Sequence, residues 1–139
     1  MGVRRKGREL AVQLLYTWDV TGQGVEQVLE SVETLHRAGD EAKSLASELF
    51  EGTVRRVVKI DALIADHSEN WRVSRMAVVD RNVIRLALHE WMELGTTKKV
   101  IINEALEIAK RFSSPDAVQF VNGVLDAILM GRKATSESS

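Results

Sequence analysis

The stretch "RRKGRELAVQLLYTW", residues 4–18, places four cations in five positions and then enters an apolar run. Set on a helix at about 100° per residue, Leu10, Ala11, Leu14, Leu15 and Trp18 gather into one stripe. The same helical spacing recurs along the chain. Val25, Val28, Leu29, Val32 and Leu35 share a face over residues 25–37. Leu45, Leu49, Val57, Ile60 and Ile64 do so on a helix running from Asp40 to about residue 67, with Asp40 suited to cap it. Gly22 and Gly24 punctuate the end of the first helix, and "RAGD" breaks the chain before the third. Further helices are expected at about 77–94, closed by Gly95, at about 98–112, capped by Thr97, and at about 115–130, where Pro115 suits the first turn. The pattern predicts an all-α fold, a compact two-subdomain helical bundle of about six to seven helices forming one domain over 1–132. An N-terminal bundle is expected at about 3–67 and a C-terminal one at about 76–131, joined by the polar segment 68–75, with 133–139 a disordered tail.

Composition narrows the function. The chain has 139 residues, 45% hydrophobic and 28% charged, enough for a packed interior in a soluble protein. Its formal net charge is -1, so any affinity for nucleic acid must come from a local patch. There are no cysteines, which removes disulfides, thiolate nucleophiles and cysteine metal sites. His36, His67 and His89 stand in no metal-ligand spacing, and His89 with Glu93 reads as a surface pair. No phosphate-binding glycine loop or Gly-x-Ser-x-Gly elbow occurs. Glu9 and Gln13 interrupt the apolar run near the start, which argues against a signal peptide. No apolar run approaches the roughly 18–20 residues that span a bilayer. A binding protein without catalysis, cofactor, metal or membrane contact, in the cytoplasm, is the expectation.

Two aromatic residues stand off their stripes. Tyr16 falls roughly opposite the centre of the first stripe, in line with Arg5 and Val12 and near Arg8. A tyrosine beside arginines suits stacking on a nucleobase while cations meet phosphate; the alternative is a solvated helix start with a surface tyrosine. Phe120 lies off the stripe of Val118, Val121, Leu125, Ile128 and Leu129, with Asp116 one turn earlier on its side. Gly7 weakens helix nucleation, so the basic segment is expected to be only partly ordered before it meets a partner.

The blocks "RELAVQLLYTW" (8–18), "INEALEIAKRF" (102–112) and "FVNGVLDAI" (120–128) together resemble the transcription antitermination factor NusB family, in its order and near its spacing. The resemblance implies two helical bundles that bind the boxA element of nascent ribosomal RNA transcripts. It implies that they do so best with NusE, a small-subunit ribosomal protein, so that RNA polymerase resists termination. Carried over residue by residue, it makes Arg4, Arg5, Lys6 and Arg8 phosphate contacts and Tyr16 and Phe120 base contacts. It sets Asp116 at the RNA face, where a carboxylate accepts from base amino groups, and Asp80 on the side facing NusE. Asn103, Glu104 and Asn122 belong to the same blocks and are read as buried or half-buried groups locking helix contacts. Gly123 allows either close helix packing or close RNA approach. "SSP" replaces the glycine-containing turn common in the family. Rival readings are a module otherwise fused to RNA methyltransferases, or a purely structural bundle. A homodimer that masks the RNA face when NusE is absent is compatible with RNA binding.

Overall fold

In the computed structural model, which describes residues 2–67 and 72–131, the chain is helical throughout its regular structure. The described residues form eight α-helices: α1 (Val3–Thr21), α2 (Val25–Ser31), α3 (Glu33–His36), α4 (Asp40–Arg55), α5 (Val57–Asp66), α6 (Val78–Glu93), α7 (Lys98–Phe112) and α8 (Pro115–Leu129). A 3₁₀ turn, Val73–Arg75, precedes α6. The all-α expectation holds; the helix count exceeds six to seven because two expected helices are each broken once. The helix expected over 25–37 divides at Val32, whose extended backbone (φ -87°, ψ 106°) cannot continue a helix. The helix expected to run from Asp40 to about residue 67 divides at Arg56 (φ -107°, ψ 13°). Residues 68–71 of the expected joint, and the tail 133–139, lie outside the described residues.

The chain separates into two compact units, Met1–Arg55 and Arg56–Ser139. In the first, α4 packs along α1, and α2 and α3 pack on α4. Leu10, Leu14, Leu15, Val28, Leu35, Leu49 and Phe50 are buried, the stripes read from the sequence with Phe50 added. Gly22 closes α1 in the left-handed region (φ 73°), its N–H donating to Trp18 O. Asp40 does not cap α4. The Lys43 N–H donates to Gly39 O, which places Asp40 inside the first turn, where its charge complements the helix dipole.

In the second unit α6 packs against α5, α7 and α8, and α7 lies on α8. Ile60, Ile64, Ile84, Leu88, Ile108, Val121, Leu125 and Ile128 are buried. A polar chain crosses this interior: Arg85 forms a bidentate pair with Asp61 of α5 (Nε–Oδ1 2.9 Å, Nη2–Oδ2 2.8 Å) and donates to Asn82 Oδ1 at 3.1 Å. Asn82 in turn donates to Val78 O at 2.9 Å. A planar guanidinium meeting a carboxylate edge-on satisfies a charge that burial would otherwise make costly. His89 and Glu93 are not both at the surface as expected. His89 is buried, and Glu93 pairs with Arg56 at 3.0 Å.

Candidate nucleic-acid interface

The basic start of the chain is ordered helix, contrary to the expectation from Gly7. Helix α1 begins at Val3, and the Lys6 N–H already donates to Gly2 O at 3.0 Å. Gly7 is a packing glycine: a Cβ there would lie 2.7 Å from Leu45 Cδ2 and 3.1 Å from Leu45 Cβ, so α4 approaches α1 through the missing side chain.

The four cations are not equivalent. Arg4 and Lys6 are exposed and Arg5 is half-buried. Arg8, read from the sequence as an outward phosphate contact near Tyr16, is only 6% exposed. Val12 is buried as well, because Gly7 through Val12 form six consecutive buried residues, enclosing more than a full turn of α1. A one-sided stripe does not describe an enclosed turn. Beyond it the helix regains an open side: Tyr16 is 43% exposed, and Val20, one turn later, is exposed too.

In the second unit the "SSP" segment builds the start of α8. The Ser114 hydroxyl accepts from the Ala117 N–H at 3.2 Å, an N-cap, and Pro115 occupies the first turn. The Ser113 hydroxyl donates to Asp80 Oδ1 at 2.7 Å, tying the end of α7 to the first turn of α6. Asp80 is therefore no open partner-facing carboxylate in the free chain; it is 7% exposed and engaged internally. Asp116 is exposed in the first turn of α8, and Phe120 is half-buried one turn on. Two further expectations change. Asn103 and Asn122 are exposed rather than locking buried contacts, while Glu104 is half-buried. Gly123 is exposed, and a Cβ built on it meets nothing within 4 Å, which removes close helix packing as its reason. Helical phase sets Gly123 off the apolar stripe, within about 60° of Phe120, which is the sequence signal for its exposure.

Arg4, Arg5, Lys6 and Tyr16 thus share α1, and Asp116, Phe120, Asn122 and Gly123 share α8. Each helix combines an aromatic ring with charged or amide groups, a set that can stack bases and hold phosphates but offers no nucleophile–base pair. No group of three or more metal-ligating side chains occurs among the described residues, and no described helix is long and apolar enough to cross a membrane.

Known proteins are similar to this chain. A family model described as the NusB family matches residues 5–130. The transcription antitermination protein NusB of Koribacter versatilis is 47% identical over 129 residues, spanning 91% of this chain and 88% of that protein. Its counterpart in Solibacter usitatus is 43% identical over 130 residues, spanning 92% and 89%. Among solved structures, T. maritima NusB superimposes with a TM-score of 0.80 at 35% identity, covering 94% of this chain and 92% of that one. A crystal structure of antitermination factors NusB and NusE in complex with dsRNA superimposes with a TM-score of 0.83 at 30% identity, covering 94% and 98%. With a match that runs through both units from the basic start of α1 to the end of α8, the chain belongs to the NusB family of transcription antitermination proteins.

Proposed function

We propose that this chain binds the boxA element of nascent ribosomal RNA leader transcripts as a single strand, together with the ribosomal protein NusE, and so suppresses termination by RNA polymerase. The observation that carries it is the exposed Tyr16 ring on the helix that opens with the exposed cations Arg4 and Lys6. An open ring stacks a base of any identity, and cations on the same helix hold the phosphates on either side. Phe120 supplies a second ring, and Asp116 accepts from base amino groups, which a carboxylate does more readily than approach phosphate. Arg5 adds to the phosphate contacts. Arg8 enters as a buried positioning charge beneath them, and Asp80 acts on the NusE side by fixing the α6–α7 joint through Ser113. The reading is supported by kinship with antitermination proteins and by a structural neighbour solved with NusE and RNA. No chemical step is involved; function is binding and assembly.

Fluorescence anisotropy with labelled boxA-type RNA against a scrambled RNA, with and without NusE, tests it. Sequence-dependent binding that tightens with NusE is expected. Equal weak binding to both RNAs, unaltered by NusE, overturns it.

A further inference from the structure

The sequence of α8, "PDAVQFVNGVLDAIL", holds two carboxylates, Asp116 and Asp126, and no lysine or arginine. RNA that continues along this helix beyond a base at Phe120 therefore meets no positive charge on it. The end of the second unit where α8 begins is different, because hydrogen bonds gather distant segments there. Ser113 ties the end of α7 to Asp80, in the first turn of α6, at 2.7 Å. The next residue, Arg81, donates through Nη1 to Val73 O at 3.3 Å and to Ser74 O at 3.4 Å, which fastens the 3₁₀ turn to the same turn of α6. Four exposed cations come with these segments: Arg72 and Arg75 at the 3₁₀ turn, and Lys110 and Arg111 in the last turn of α7. The Arg111 guanidinium carbon lies 5.3 Å from the centre of the Phe112 ring, within cation–π range. Lys110 is shared with Glu107 at 3.6 Å. Among the described residues of these turns the carboxylates are Asp116 and Asp80, the latter 7% exposed and bonded to Ser113. In a chain of net charge -1 this corner is a concentrated positive patch, assembled from segments far apart in sequence.

Resting on the RNA reading above, we propose that this corner is a second phosphate-binding patch, which takes single-stranded RNA flanking the boxA-type element where the strand runs past Phe120 and over the start of α8. A strand leaving Phe120 has two ways on: along α8, which offers no cation, or past Asp116 to the corner, where four are exposed. Arg72, Arg75 and Arg111 hold phosphates there, each guanidinium able to fork two N–H groups onto one phosphate. Lys110, already beside Glu107, adds less. Contacts of this kind go to the RNA backbone and carry no sequence preference. The cations of α1 serve the element itself, and the corner lengthens the footprint.

The test is anisotropy with a labelled boxA-type RNA and with the same RNA extended by uridines at its 5′ end or at its 3′ end, over a range of salt. Extension at one of the two ends should tighten binding, and with three added phosphate contacts on a single strand the salt slope should steepen by about 2. The gain on extension should then shrink roughly 15- to 20-fold between about 50 and 200 mM salt. The triple variant Arg72→Gln, Arg75→Gln, Arg111→Gln should bind the unextended RNA as the wild type does, which also shows that it folds, and should lose the gain. Each substitution alone should remove about 0.7 of the added slope. Lys98→Gln with Lys99→Gln, exposed at the opposite end of α7, should keep the gain. No gain at either end, a gain that the triple variant retains, or one that the Lys98 and Lys99 changes remove as well overturns the proposal while leaving boxA binding standing. Weaker NusE binding by the triple variant with no gain on extension assigns the corner to a protein partner and overturns it too. A wild type that does not separate boxA-type from scrambled RNA overturns both readings.

Discussion

Replacing Gly123 by alanine should separate stability from binding. Gly123 lies in the middle of α8, exposed, with open space where a Cβ would be. A glycine inside a helix is less stable than alanine by roughly 0.5–1 kcal/mol, through backbone entropy alone. With no contact to oppose it, the added methyl should stabilise the free protein by that amount. A chain of this length unfolds with an entropy of about 0.3 kcal/mol per kelvin, so the melting temperature should rise by about 2–3 °C in scanning calorimetry. Binding should move the other way. If RNA or NusE backbone lies against the bare Cα, a methyl group inserted into that contact costs about 1–3 kcal/mol, a loss of roughly 5- to 150-fold in affinity. Calorimetry and anisotropy on one preparation measure both. A lower melting temperature would refute the open space at this position. A higher one with unchanged affinity for both RNA and NusE would refute the glycine's part in the contact surface.

Ser113→Ala removes the 2.7 Å bond to the buried Asp80 carboxylate. A charge-assisted bond of this kind contributes about 1.5–3 kcal/mol, so the melting temperature should fall by about 5–10 °C, and a fall under about 1 °C would show Asp80 satisfied without it. Asp61→Ala strands the buried guanidinium of Arg85; with the Asp61 side chain 30% exposed, a cost of about 2–3 kcal/mol in urea unfolding is expected, below the full range for a buried pair. The control Glu33→Ala, which breaks a pair 76% exposed on both sides, should cost less than about 0.5 kcal/mol, and equal losses in the two variants would count against the buried network. The logarithm of RNA affinity should fall with the logarithm of salt concentration at a slope near -2, from Arg4, Arg5 and Lys6 on a single strand, rather than the -3 that four open cations would give. A slope near zero would remove phosphate contact by α1. Tyr16→Ala should weaken binding by about 1–3 kcal/mol on matched and unmatched RNA alike, and a loss confined to one sequence would assign the ring to base readout instead.

The helices were most legible where local chemistry and apolar period agree. Thr97 caps α7, its hydroxyl accepting from the Val100 N–H, and Ser114 with Pro115 opens α8. The breaks at Val32 and Arg56 carry no glycine or proline, and either residue sits readily inside a helix. Tertiary packing decides them, and a single sequence does not display it. At the candidate site the exposure of Tyr16, Arg4 and Lys6 was legible. It was illegible in Arg8, Asp80 and Asn122, because helical phase says which way a residue points but not whether another element waits there. Arg8 flanks the apolar stripe, seven residues before Leu15, and is enclosed with it, whereas Asn122 flanks the stripe of α8 and is in solvent.

Between α7 and α8 the chain has two residues, and both their hydroxyls are engaged. The Ser113 amide donates to Ala109, its hydroxyl to Asp80, and the Ser114 hydroxyl receives the Ala117 amide. Such a connection has a fixed length. An inserted residue would either part Ser113 from Asp80 or part Ser114 from the helix it caps. Winding the addition into α8 would swing its side chains by about 100° for each residue, carrying Asp116 and Phe120 off their common side. Natural length variation, affinity tags and circular-permutation breakpoints should therefore be tolerated poorly at this corner, where the aim of one whole helix hangs on a pair of serines.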